Sequence, residues 1–152
     1  MNFLGVKKYK YDECNTLIIP YPKEAGVSYG RGTRNGPRGI LKASQEVELY
    51  PYPDNLKIHT FTSLIGQAYA TGLPELSKMV VAGKEAGKFI MTLGGDHSIS
   101  YGSLKGVLEY FKNNIHVIWI DSHTDINTWD SSQTKNMHGM PVSSLMGLNT
   151  GD

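Results

Sequence analysis

Residues 89–125 read FIMTLGGDHSISYGSLKGVLEYFKNNIHVIWIDSHTD, and their order decides the architecture. Phe89–Leu93 is a short apolar run closed by Gly94-Gly95, the mark of a buried strand. Ser98–Asn113 carries Leu104, Val107, Leu108 and Phe111 at the spacing of one helical face. Ile115–Ile120 is almost wholly apolar and is expected to be the strongest strand, covered on both faces. Strand, helix and strand at this spacing predict a βαβ unit and therefore a parallel sheet. In such sheets, sites form just beyond the carboxyl ends of the strands. Asp96-His97 and the polar cluster from Asp121 to Asp125 both fall there.

The same alternation extends upstream. Thr16–Pro20 (TLIIP) reads as a buried strand, and Gly26–Gly36 (GVSYGRGTRNG) as a loop whose glycines allow turns closed to other residues. Pro37 fits the first turn of a helix through Ile40 and Leu41. Asn55–Thr62 is a weaker strand candidate. Pro74 opens a helix with Leu76, Met79 and Val80 on one face, and Pro141 opens a short one. The expected class is α/β, a parallel sheet flanked by helices, in one domain over residues 1–152.

Composition bounds the function. The chain has 152 residues, enough to bury roughly 70% of the surface its unfolded form would expose. Fifteen basic residues against 14 acidic ones leave a net charge of +1, so a basic footprint for nucleic acid or an anionic membrane is absent. No apolar run approaches the roughly 18–20 residues that span a bilayer, and the N-terminus lacks the apolar stretch of a signal peptide. The single cysteine, Cys14, cannot form an internal disulfide. A cytoplasmic protein is expected.

Asp121, His123 and Asp125 stand two apart, so in extended chain they point to one side. Two carboxylates and an imidazole crowded together repel and shift one another's pKa values unless a cation joins them. His97, delivered by the preceding strand, supplies a fourth ligand. Gly95 is expected to matter because a side chain there would crowd the turning backbone. Carboxylate and imidazole without thiolate suit manganese, iron or zinc. Such metals lower the pKa of a bound water, and the implied reaction class is hydrolysis. His59 and His116 have no neighbouring carboxylates and read as ordinary histidines.

Three motifs in order, Gly94-Gly95-Asp96-His97-Ser98, Asp121–Asn127 (DSHTDIN) and His138–Ser143 (HGMPVS), resemble the ureohydrolase family, the arginases most of all. Asn35-Gly36-Pro37 is similar to the end of that family's N-terminal glycine-rich segment. The resemblance implies an arginase-like three-layer fold, of which residues 1–152 are the N-terminal portion. It also implies hydrolysis of L-arginine to L-ornithine and urea at a two-manganese centre, usually in a homo-oligomer. By resemblance His97 and His123 each bind one manganese, and Asp121 and Asp125 bind or bridge the pair. Asn127 and Thr134 contact the amino-acid end of the substrate, and His138 shuttles protons or assists the leaving amine; Asp125 and His138 are the catalytic residues.

Ser122 stands where the family usually has Ala, and Thr134 where arginases commonly have Ser. The hydroxyl survives at Thr134, with a stiffer side chain. The family's second D-x-D metal segment and a later glutamate have no counterpart in these residues, so little or no turnover is expected of this chain by itself. The alternatives are a noncatalytic relative, an agmatinase-like hydrolase of decarboxylated arginine, or another metal hydrolase such as a phosphoesterase. In the last the D-x-H pair comes early, whereas here GGDHS precedes it.

Overall fold

The computed structural model describes residues 1–51, 53–65 and 72–149. Three parallel strands form one sheet in the order β2-β1-β3, with β1 at Thr16–Tyr21, β2 at Ile58–Thr60 and β3 at Phe89–Gly94. Among the described residues four α-helices accompany them: α1 (Gly36–Ala43), α2 (Leu73–Glu85), α3 (Ile99–Phe111) and α4 (Pro141–Leu145). The strands and helices expected from the apolar runs and prolines are present, except at residues 115–120. The Asn55–Thr62 candidate shrinks to the three residues of β2.

β1 is the buried spine, with all six residues inaccessible. Its side chains alternate between two faces, as period-2 geometry demands. Ile19 and Tyr21 join Leu76, Val80 and Ile99 of α2 and α3, while Ile18 joins Leu41 of α1, Ile58 and Leu93 on the other side. Helices on both faces of a parallel sheet give three layers, as expected.

The helix α3 packs differently from the expected leucine face. Its buried positions are Ile99, Gly102 and Gly106, while Phe111 is exposed. A Cβ at Gly106 would stand 2.5 Å from the Ser77 carbonyl oxygen, and one at Gly102 2.9 Å from that of Leu73. The two glycines therefore form a seam that lets α2 and α3 approach closely.

Residues 115–120 form no strand, which corrects the expectation drawn from IHVIWI. The segment stands off β3, leaving a cleft of about 340 Å³ lined by Ile90, Thr92, Val107, Val117 and Ile118 among others. Ile118 and Ile120 are 87% and 94% exposed. An apolar strand is held when both faces are covered and a ladder runs along it. Here no strand among the described residues pairs on its far side, and its outer face meets solvent, so apolar composition alone does not recruit it to the sheet.

Candidate metal centre

The centre forms where β3 ends. The Asp96 backbone N–H donates to the Lys23 carbonyl at 2.7 Å, drawing the turn after β3 against the chain that leaves β1. A Cβ at Gly95 would stand 2.3 Å from that carbonyl oxygen and 2.9 Å from the one of Tyr21, so only glycine fits. Gly95 matters by this crowding, as expected.

Asp96 is not part of the ligand cluster. Its carboxylate is buried and accepts three hydrogen bonds: from the Gly26 N–H at 3.0 Å, the Ser98 N–H at 3.0 Å and the Ser98 hydroxyl. It fastens the glycine-rich loop to the start of α3 and leaves the next residue, His97, to face outward. This role was missed in the sequence. The signal was an acidic residue two before Ser98 at the foot of a helix.

His97 Nε2 lies 3.0 Å from Asp125 Oδ2 and 3.7 Å from Asp121 Oδ2. Ligand atoms of these three residues all fall within 4.8 Å of one another. The Trp119 ring meets the His97 ring edge-on, with centroids 5.2 Å apart and planes at 88°. Asp125 takes a left-handed backbone, φ 51°, which Asp tolerates better than most residues. Its carbonyl accepts the N–H groups of Val142 and Ser143 at 3.2 and 3.4 Å. These are unpaired donors in the first turn of α4, so the helix start is satisfied and Asp125 is held by the same bonds.

His123 stands apart from this convergence. Its side chain is 80% exposed, with Nδ1 3.4 Å from Asp121 Oδ1 and 3.2 Å from the Ser122 hydroxyl. Asp121 thus turns one carboxylate oxygen toward His97 and the other toward His123. The His123 backbone N–H donates to Asp121 at 2.9 Å. That bond, opposed by burial and reinforced by the charges of His97 and His123, holds the Asp121 carboxyl below its ordinary range.

Asn127, Thr134 and His138 lie on the loop after this cluster. The Asn127 side-chain oxygen accepts from the Ser131 hydroxyl at 3.3 Å, and its carbonyl accepts from the Ser143 hydroxyl. Thr134 accepts the Asn136 N–H at 3.3 Å. His138 Nδ1 pairs with the Gly26 carbonyl, and its Nε2 lies 3.4 Å from the Ser28 hydroxyl. Gly26 therefore joins Asp96 through its N–H and His138 through its carbonyl. A carbonyl only accepts, so in that pairing Nδ1 is the donor, while Nε2 faces the Ser28 hydroxyl.

The donor set fits a divalent cation. Two carboxylate oxygens and one imidazole nitrogen converge, and the buried Asp125 Oδ2 has His97 Nε2, itself a metal-ligand type, as its polar neighbour at 3.0 Å. A cation would bind both carboxylates and the imidazole and relieve the repulsion between Asp121 and Asp125.

A profile described as the Arginase family matches residues 14–150. The chain is 49% identical to an arginase of Eremothecium gossypii over 163 aligned positions, which cover 92% of this chain and 39% of that one. The solved arginase of Bacillus subtilis superposes with a TM-score of 0.68 at 28% identity, over 91% of this chain and 48% of that one. A Trypanosoma cruzi formiminoglutamase variant, solved with manganese, superposes at 0.76 with 22% identity, over 95% of this chain and 51% of that one. The chain thus spans about half or less of the length of the proteins it matches.

Proposed function

The chain belongs to the arginase family, and on that premise we propose a manganese-dependent hydrolase that releases urea from L-arginine and leaves L-ornithine. The observation that carries this reading is the convergence of His97, Asp121 and Asp125 at the sheet edge, two carboxylates and one imidazole with their ligand atoms within 4.8 Å of one another. His97, Asp121 and Asp125 would hold manganese, and Asp121 would extend the set toward His123. When bound, the metal lowers the pKa of water and so makes a nucleophile available near neutral pH.

The chain's own residues prepare the rest. Asn127 and Thr134 offer neutral hydrogen-bonding groups to the amino-acid end of the substrate. His138, with its proton fixed on Nδ1 by Gly26, presents Nε2 to accept a proton and later return it to the leaving amine. Asp125 is buried and positioned by α4, so its carboxylate keeps its place as charge develops nearby. The free, buried Cys14 is in keeping with a reducing, cytoplasmic setting, and a homo-oligomer belongs to the same proposal. Among the described residues no helix is long and apolar enough to cross a membrane.

An agmatinase-like activity is the second reading; the formiminoglutamase likeness shows how widely this fold is shared among substrates. Urea release by the manganese-loaded chain, assayed with L-arginine and with agmatine, tests both. L-Arginine is the expected substrate, at a rate below the ordinary enzyme range of about 1–10³ per second, because His123 stands outside the cluster. Release from agmatine alone overturns the arginine assignment, and a chain that retains no divalent metal overturns the centre.

A further inference from the structure

The structure holds a second cavity, apart from the cleft beside α3. The glycine-rich loop after β1 encloses about 480 Å³ lined by Lys23, Glu24, Ser28, Tyr29, Arg31 and Arg34 among others. Small-molecule sites commonly occupy about 300–1,000 Å³. Glu24 closes the loop on itself: one oxygen accepts the Gly32 N–H, and the other lies 3.3 Å from Arg34 Nε. Gly30 and Gly32, at φ 70° and 123°, take backbone angles that other residues rarely adopt, so the loop's shape depends on them.

The charges in this cavity do not balance. Glu24 is matched by Arg34, while Lys23 and Arg31 form no ion pair among the described residues. The same loop touches the segment that follows the metal centre in sequence. Ser28 faces His138 Nε2, and the Asn136 side chain donates to the Val27 carbonyl and to the Ser28 hydroxyl at 3.4 and 3.2 Å.

Asn127 and Thr134 are neutral. They can hydrogen-bond a carboxylate but cannot offset its charge. Lys135, the cation on their own loop, is engaged with the Trp129 carbonyl and lies over its ring. A guanidinium supplies both charge and a planar pair of donors, which matches a carboxylate. We propose that Arg31, with Lys23 beside it, reads the carboxylate of a guanidino amino acid and thereby separates it from the decarboxylated amine. The substrate identity in this proposal rests on the hydrolase reading above; the carboxylate site rests on the cavity.

Amide NMR titration of the full chain with L-arginine, agmatine and acetate tests it. L-Arginine and acetate are expected to shift the amides of Gly30, Arg31 and Gly32, and agmatine is not. Arg31→Gln should weaken L-arginine binding about tenfold, the scale of one hydrogen-bonded charge, and Arg31→Lys should restore part of it. Arg31 is exposed and unpaired, so neither variant threatens the fold. Equal loop shifts from agmatine and L-arginine, or undiminished L-arginine binding in Arg31→Gln, overturn the proposal. Loop shifts from L-arginine and acetate, with His97 and Asp125 silent to both guanidino compounds, support the carboxylate site and overturn the hydrolase reading. Shifts at His97 and Asp125 from both compounds, with a silent loop, do the reverse.

Discussion

His97 Nε2 and Asp125 Oδ2 lie 3.0 Å apart, one delivered by the end of β3 and the other by a left-handed turn held on the start of α4. An imidazole nitrogen and a carboxylate oxygen this close share a proton or a cation. Asp125→Asn keeps a side chain that tolerates the left-handed backbone but removes the anionic donor. Manganese retention in equilibrium dialysis should fall at least tenfold, on the order of one lost charged ligand. The circular dichroism spectrum should be unchanged. Undiminished retention would remove Asp125 from the centre.

The two histidines should differ. His97 faces both carboxylates, whereas His123 reaches only Asp121 and is mostly exposed. His97→Ala is expected to abolish measurable manganese retention. His123→Ala is expected to lower the metal content per chain and leave residual binding at His97, Asp121 and Asp125. Equal losses in the two variants would show that His123 turns inward when metal is present.

Gly95 and Gly39 make a matched pair for stability. A methyl at Gly95 would meet backbone atoms of Lys23 and Tyr21, which cannot rotate away, while one at Gly39 meets nothing within 4 Å. Gly95→Ala should destabilise by about 1–3 kcal/mol or more, the range for overpacking. Gly39→Ala, inside α1, should stabilise by about 0.4–1 kcal/mol through lower unfolded-state entropy and better helix propensity. Urea denaturation midpoints read both signs.

The pattern of success and failure in the sequence follows from what local patterns can encode. β1 and β3 were legible because short apolar runs closed by Pro or Gly state both burial and boundaries. His97, Asp121 and Asp125 stood out because they follow apolar runs directly, whereas the extended-chain spacing that grouped His123 with them does not hold: His123 faces outward and Asp125 takes a left-handed backbone. IHVIWI misled because a strand is a property of its neighbours as well as its residues, and pairing on its outer side is absent among the described residues. The Gly102–Gly106 seam was hidden because a helical face is sought among large side chains, and here the contact is made by their absence. The bond from Asp96 to Gly26 and those from α4 to the Asp125 carbonyl join backbone groups distant in sequence, which spacing cannot show.

Asp96 should be worth more than its place outside the ligand set suggests. It accepts the N–H groups of Gly26 and Ser98, and Gly26 in turn holds His138. Asp96→Ala leaves two backbone donors without acceptors, an expected cost of about 2–6 kcal/mol at about 1–3 kcal/mol for each unsatisfied group. Hydrogen exchange should quicken at the Gly26 amide more than at β1. A rate at Gly26 that stays tied to that of β1 would mean that other contacts hold the loop.

Ile118 and Ile120 set the last expectation. Their side chains are exposed beside the open edge of β3, an arrangement that invites pairing with another chain. Lysine at either position places a charge where the side chain already meets water, so stability should change by less than about 0.5 kcal/mol. Self-association should fall, because a charged edge resists strand addition. Sedimentation velocity across a concentration series reads the outcome. Wild type and the Ile118→Lys, Ile120→Lys double variant should differ in the concentration dependence of their sedimentation coefficients while sharing one unfolding midpoint. A lowered midpoint in the double variant would show that these side chains are buried in the folded chain in solution, with the segment closed over the cleft beside α3.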